Sequence, residues 1–190
     1  MNIGLSIVQP MTKENHAAPR SAEDFLDRVR VAYPEGLPNL FRTLQGNPAA
    51  VAGFIALDLE LEAHGRLSAT ERLLVGLMTA RDVGCEYCRA ALSKEARNAG
   101  APDQAVDAVL EGRPPEDRRI RTLAQATSRL LELRGRLPKA EIAHFRRCGL
   151  TEADLLEVIS VVGLFTIATY ANNLMRTRID PEYHDAAEPE

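Results

Sequence analysis

Strands, a basic surface and a disulfide framework are all missing from this sequence. No stretch sustains the apolar–polar alternation of a half-buried strand, which excludes a sheet as the organising element. Lys and Arg number 23 against 27 Asp and Glu, a net charge of -4, so no basic excess is present to neutralise phosphates and no nucleic-acid partner is expected. Three cysteines in 190 residues make no disulfide staple. The opening MNIGLSIVQP has no basic n-region and soon meets Pro10 and charged residues, so no secretory signal is expected. These absences point to a reducing cytoplasm, where a close cysteine pair is redox-active or metal-binding rather than structural.

What is present reads as helix after helix. Hydrophobic residues make up 45%, enough for a real core. Ser21 with Asp24 opens a helix to about Tyr33, and PEGLP breaks it. Asn47-Pro48 opens the next, which runs to Gly65. Ser68 and Glu71 form a capping-box pattern ahead of ATERLLVGLMTARD. Further helices are predicted at about 85–99, 102–110, 116–134, 138–148 and 152–175, with Gly100, Gly112, Gly135 and Gly149 at the breaks. The fold class is all-α, a helical bundle: an N-terminal arm over 1–20, a single domain over 21–180 and a C-terminal tail over 181–190.

The run from Val158 to Met175 carries no charge and is long enough to span a bilayer. Its internal Ser160, Thr166, Thr169, Asn172 and Asn173 point instead to a helix buried in a core or a subunit interface, with no membrane partner. LEAHGRLSATE (61–71) matches LELRGRLPKAE (131–141) at six of eleven positions. Shared helix-stop, helix-start grammar explains this, as do two related helical halves.

The chemistry concentrates in GCEYCRAAL, residues 84–92. Cys85 and Cys88 sit where a helix starts, facing unpaired first-turn amides and the positive end of the macrodipole, both of which favour thiolate over thiol. Spacing of three brings both sulfurs to one face, the layout of a peroxide-reducing or disulfide-exchanging pair. Two inert core cysteines fit the same spacing. A zinc site lacks ligands, because Cys148 stands alone and His16, His64, His144 and His184 are scattered. Glu71 is either a carboxylate relay toward the thiols or simply the fourth residue of a capping box. Glu141 occupies the matching place in the second repeat with no thiols after it.

With ERLLVGLMTARDVGCEYCRAALSKEARNAG on an all-α chain, residues 37–180 resemble the carboxymuconolactone decarboxylase superfamily in its alkyl hydroperoxidase D-like, peroxidase-related branch. The resemblance implies a thiol-disulfide oxidoreductase or peroxidase that reduces hydroperoxides through the CxxC pair. Cys88 would attack peroxide, Cys85 would resolve the sulfenic acid, and Glu71 would begin the proton relay. It implies no bound cofactor, a dithiol reductant protein as electron donor, and a homo-oligomer, trimer or hexamer. The motif histidine, however, is Leu92 here, and leucine cannot move a proton. Tyr87 and His64 are the nearest replacements in sequence. The alternatives are a decarboxylase-like acid–base enzyme with incidental cysteines, and a non-catalytic oligomeric module that lost its relay with the histidine.

Overall fold

The computed structural model describes residues 21–34 and 36–186; the arm expected over residues 1–20 lies outside them. Among the described residues there are nine α-helices and no strand: α1 (Ala22–Ala32), α2 (Asn39–Leu44), α3 (Pro48–His64), α4 (Ala69–Val83), α5 (Glu86–Asn98), α6 (Asp103–Glu111), α7 (Arg118–Leu133), α8 (Lys139–Arg147) and α9 (Glu152–Met175). The fold class is all-α, as the sequence predicts. Ser21, Asn47, Ser68 and Thr151 cap their helices by accepting first-turn amides. The sequence reading missed α2. It has six residues, too few to show a period, and it starts directly after Pro38.

Helix α4 is the centre of the bundle. Leu73 to Ala80 are all buried, so the helix is covered on every side for two turns. It packs against α5, α6, α7 and α9. Helix α5 returns antiparallel to it, and the Thr70 hydroxyl at the start of α4 donates to the Ala99 carbonyl just past the end of α5 at 3.2 Å. Helix α9, about 36 Å long at 1.5 Å per residue, crosses α4 at Gly76. A Cβ on Gly76 would stand 2.8 Å from Phe165 Cζ and closer still to two other ring atoms. Only the bare backbone lets the ring sit there.

Among the described residues α9 is the one helix long and apolar enough to cross a membrane, and half of its most apolar window is buried in the bundle. Its inner side, with Val158, Val161, Leu164, Phe165 and Ala168, belongs to the core. Its outer side leaves Leu156, Ile159, Ile167, Tyr170 and Leu174 exposed.

Two turns tie α9 to the rest. Glu157 accepts the amides of Arg66 at 2.7 Å and Leu67 at 3.0 Å, so a side chain of α9 closes the α3–α4 corner. Gly65 is required there because a Cβ would collide with the Leu61 carbonyl and that carboxylate. Gly65 is extended (φ -67), whereas its counterpart Gly135 has φ 78 after a left-handed Arg134. The repeat in sequence is therefore not a repeat in backbone. Beyond α9, Pro181–Ala186, assigned to the tail from sequence, form a 3-10 helix docked on α5. Tyr183 is buried, with its ring edge-on to Tyr87 and its hydroxyl donating to Glu95 at 3.2 Å.

Gly76→Ala should destabilise the protein by about 1–3 kcal/mol through overpacking against Phe165. Adding Phe165→Leu should recover part of the loss. Urea denaturation of the single and double variants checks this; equal, additive losses would show that the two residues do not touch.

Candidate functional site

The cysteine pair is built by the joint between α4 and α5. Gly84 ends α4 in the left-handed region (φ 72, ψ 37), where glycine carries no Cβ penalty. The Cys85 amide closes the motif on the Ala80 carbonyl at 2.9 Å. One residue of turn is enough, so Cys85 becomes the N-cap of α5 itself. Its Sγ takes the place of a capping oxygen and accepts the Cys88 amide at 3.4 Å. Both side chains are buried, Cys85 at 1% exposure and Cys88 at 3%, and both are free thiols.

The two sulfurs have opposite environments. The Cys85 thiol is pulled down to about 7 by the hydrogen bond from the Cys88 thiol, with the Cys88 and Tyr87 amides adding to this against the effect of burial. The Cys88 thiol is pushed up because it is the donor of that same bond, and because burial and a charge on Cys85 both oppose its ionisation. The pair therefore ionises as a unit: the first proton is lost near neutrality, and the charge rests at the helix N-terminus on Cys85.

Among the described residues, Cys88 has one hydrogen-bond partner outside α5 and its cap. Asn172, buried on the last turn of α9, donates from Nδ2 to Cys88 Sγ at 3.2 Å. Tyr87 lies beside the pair with its hydroxyl committed elsewhere, donating to Asp180 at 2.7 Å and accepting the Leu40 amide at 3.1 Å. Asp180 in turn accepts the Asn39 amide at 3.2 and 3.1 Å, binding the segment after α9 across α2 and α5.

The other residues singled out from sequence are not gathered here. Leu92 is buried in the core on the face of α5 that carries Cys88. Glu71 lies fourteen residues before Cys85, at the far end of the α4–α5 hairpin and about 20 Å away along the helix axis. One of its oxygens accepts the Ser68 amide at 2.9 Å and the other the Arg119 guanidinium at 2.7 Å. The structure thus places Glu71 apart from the thiols, held between the Ser68 amide and Arg119. The matching Glu141 is held in the same way by Arg129 at 2.8 Å, so both are helix-start carboxylates clamped by an arginine of α7. His64 is exposed and faces Glu60 on its own helix at 3.6 Å. Cys148 stands at the end of α8, 3.7 Å from His144. Among the described residues no group of three or more His, Cys, Asp or Glu side chains is placed to hold a metal.

Sequence reasoning missed Asn172 and Asp180, which reach the CxxC segment across 84 and 93 residues. The one available signal was an amide inside an otherwise apolar run.

In a Cys148→Ser background, thiolate absorbance should rise by one thiolate per chain around pH 7, with the second appearing only at strongly alkaline pH. A thiol depressed on folding adds stability as pH climbs from about 7 to about 9 and loses it as pH falls back through 7. Two coincident titrations near pH 9 would contradict the shared-proton arrangement.

Comparison with known proteins places this geometry. Residues 48–115, from α3 to the loop before α7, match the model of the carboxymuconolactone decarboxylase family. No curated protein sequence matches the chain. In structure it is similar to an alkylhydroperoxidase AhpD core protein of Ralstonia eutropha JMP134, described as peroxidase-related and uncharacterized. The two share 20% identity with a TM-score of 0.76, over 92% of this chain and 100% of that one. An uncharacterized peroxidase-related protein from Silicibacter sp. TM1040 shares 18% identity with a TM-score of 0.72, over 99% of this chain and 100% of that one. The debrominase Bmp8 shares 18% identity with a TM-score of 0.70, over 96% of this chain and 97% of that one. The region that holds the cysteine pair thus matches the carboxymuconolactone decarboxylase family model, and the fold of the whole chain is that of solved structures described as peroxidase-related.

Proposed function

We propose that the chain is a dithiol oxidoreductase that reduces a hydroperoxide and is returned to the dithiol state by a dithiol reductant protein. The observation that carries this reading is the placement of the pair at the start of α5, where Cys85 Sγ caps the helix by accepting the Cys88 amide at 3.4 Å, its thiol held down to about 7, with the second thiol three residues on. One sulfur attacks the terminal oxygen of the hydroperoxide. The S–O bond forms, the O–O bond breaks, and the alkoxide leaves and takes a proton. The second sulfur then displaces the oxygen as water, forming the disulfide. Following the family resemblance, Cys88 attacks and Cys85 resolves. Glu71 is given a structural role, because both of its oxygens are occupied far from the thiols.

Turnover of hydrogen peroxide and cumene hydroperoxide with dithiothreitol as donor should fall to the uncatalysed rate in Cys88→Ser. Mild oxidation of the wild type should remove two hydrogens from the peptide that contains both cysteines. Peroxide-inert thiols in a folded protein would overturn the reading. Leu92 in place of the motif histidine keeps a second reading open, a fold retained without peroxidase activity. The similarity to the debrominase Bmp8, also solved in complex with 2,3,4-tribromopyrrole, makes a brominated aromatic the second electrophile to try.

The outer face of α9 supports a homo-oligomer of this chain. Leu156, Ile159, Gly163, Ile167, Tyr170 and Leu174 follow one another at spacings of three and four, a seam without charge that a second copy of the same helix would complete. Light scattering should give a whole multiple of 20.9 kDa. Leu174→Glu, at a position 81% exposed in the single chain, should shift the protein toward monomer without unfolding it.

A further inference from the structure

The two sulfurs differ in what else lies beside them. The groups that hold charge on Cys85 are donors, the Cys88 thiol and the amides of Cys88 and Tyr87, working against burial and the Glu86 carboxylate. A sulfur held by three donors carries charge well but gives up electron density slowly. Around Cys88 the external partner is a single amide, Asn172, with both a donor and an acceptor end. Asn172 is 3% exposed. Its Nδ2 is used on the sulfur, while its Oδ1 is buried with no hydrogen-bond partner. Buried polar groups are seldom left bare, and a bare acceptor beside a nucleophile is suited to a ligand that brings a donor.

We propose that Asn172 makes Cys88 the attacking thiol, its N–H holding the sulfur and its bare carbonyl receiving the O–H of a hydroperoxide. The proposal rests on the peroxide reading above. At rest the charge lies on Cys85. Moving the shared proton along the thiol–thiol hydrogen bond places the charge on Cys88, where the Asn172 N–H stabilises it. The hydroperoxide O–H donated to Oδ1 puts its terminal oxygen next to Cys88 Sγ. Attack forms the S–O bond and breaks the O–O bond; both electrons of that bond leave with the alkoxide, which takes the proton now on Cys85. The Cys85 thiolate then attacks Cys88 Sγ, the S–S bond forms, and the hydroxide released takes a proton from solvent. In this arrangement Asn172 reaches the thiol from α9 and holds the sulfur, while Cys85 takes the proton that a leucine at position 92 cannot accept. It also sets a substrate class: hydroperoxides with a free O–H, not dialkyl peroxides.

Two readouts test the two halves separately. The first does not depend on peroxide. In a Cys85→Ser, Cys148→Ser background, iodoacetamide labelling of Cys88 is followed against pH. Removing a hydrogen bond to a charged sulfur in Asn172→Leu should raise the apparent pKa of Cys88 by one to two units and slow labelling at neutral pH by about ten- to a hundredfold. Asn172→His, which restores an N–H donor, should recover part of the loss. Asn172→Ala serves as a smaller second variant, and circular dichroism qualifies each as folded. An unchanged pH profile in a folded variant overturns the role of Asn172. The second readout uses the intact dithiol protein: cumene hydroperoxide should be consumed and di-tert-butyl peroxide should not, with the dimedone adduct on Cys88 in the wild type and lost in Asn172→Leu. Equal consumption of both peroxides overturns the carbonyl contact. A wild type that consumes neither overturns the peroxide reading and the substrate half of the proposal with it, while the labelling profile still decides the thiol half.

Discussion

Phe165 rests on the bare backbone of Gly76, and much of the architecture depends on that contact. Helix α4 is buried on every side, so whatever crosses it must come close, and only a residue without a side chain lets an aromatic ring do so. Seating the ring sets the position of α9 along α4. At one end of α9 Glu157 meets the α3–α4 corner, and at the other Asn172 meets Cys88. Seven residues separate Phe165 from Asn172, two turns, so both lie on the same inner side of the helix. A shift of α9 by one residue would move both polar contacts off their targets. The bundle core and the thiol site are thus set by the same crossing.

The site itself is a conflict between burial and charge, held in check by local geometry. Burying two thiols should keep both neutral. Gly84 turns the chain so tightly that only it and Cys85 lie between α4 and α5, and Cys85 occupies a capping position beside amides that would otherwise lack partners. Those amides and the second thiol outweigh burial for one sulfur, and the same hydrogen bond works against the other. Around this pair, Tyr87 and Asp180 tie neighbouring segments together. Their hydrogen bonds hold α2 and the segment after α9 against α5.

Glu71 shows where a motif reading and a spatial reading part. In sequence it precedes the cysteines at a spacing close to that of the relay carboxylate the resemblance implies. In space it caps α4 and grips Arg119 at the far end of the hairpin. Glu141 had already signalled this from sequence: the same grammar with no thiols nearby ends in the same kind of arginine clamp. Leu92 gave a second signal, since an apolar residue at the relay position is simply part of the core.

From the sequence alone, the helices longer than two turns, their caps at Ser21, Asn47 and Ser68, the all-α class and the place of the cysteine pair at a helix start were all legible. Each depends on residues no more than a few positions apart, where propensity, capping and periodicity act. Short α2 escaped because six residues show no period, and the docking of Pro181–Ala186 escaped because a 3-10 turn owes its place to Tyr183 and Asp180 contacts made elsewhere. The partner of Cys88, the remoteness of Glu71 and the identity of the glycine that admits Phe165 were decided only by the tertiary structure. They follow from how α9 lies across α4 and α5, and no local preference in the chain encodes that register. It arises when ring, backbone and amide are brought together by packing, Phe165 on Gly76 and Asn172 on Cys88, residues more than 80 positions apart.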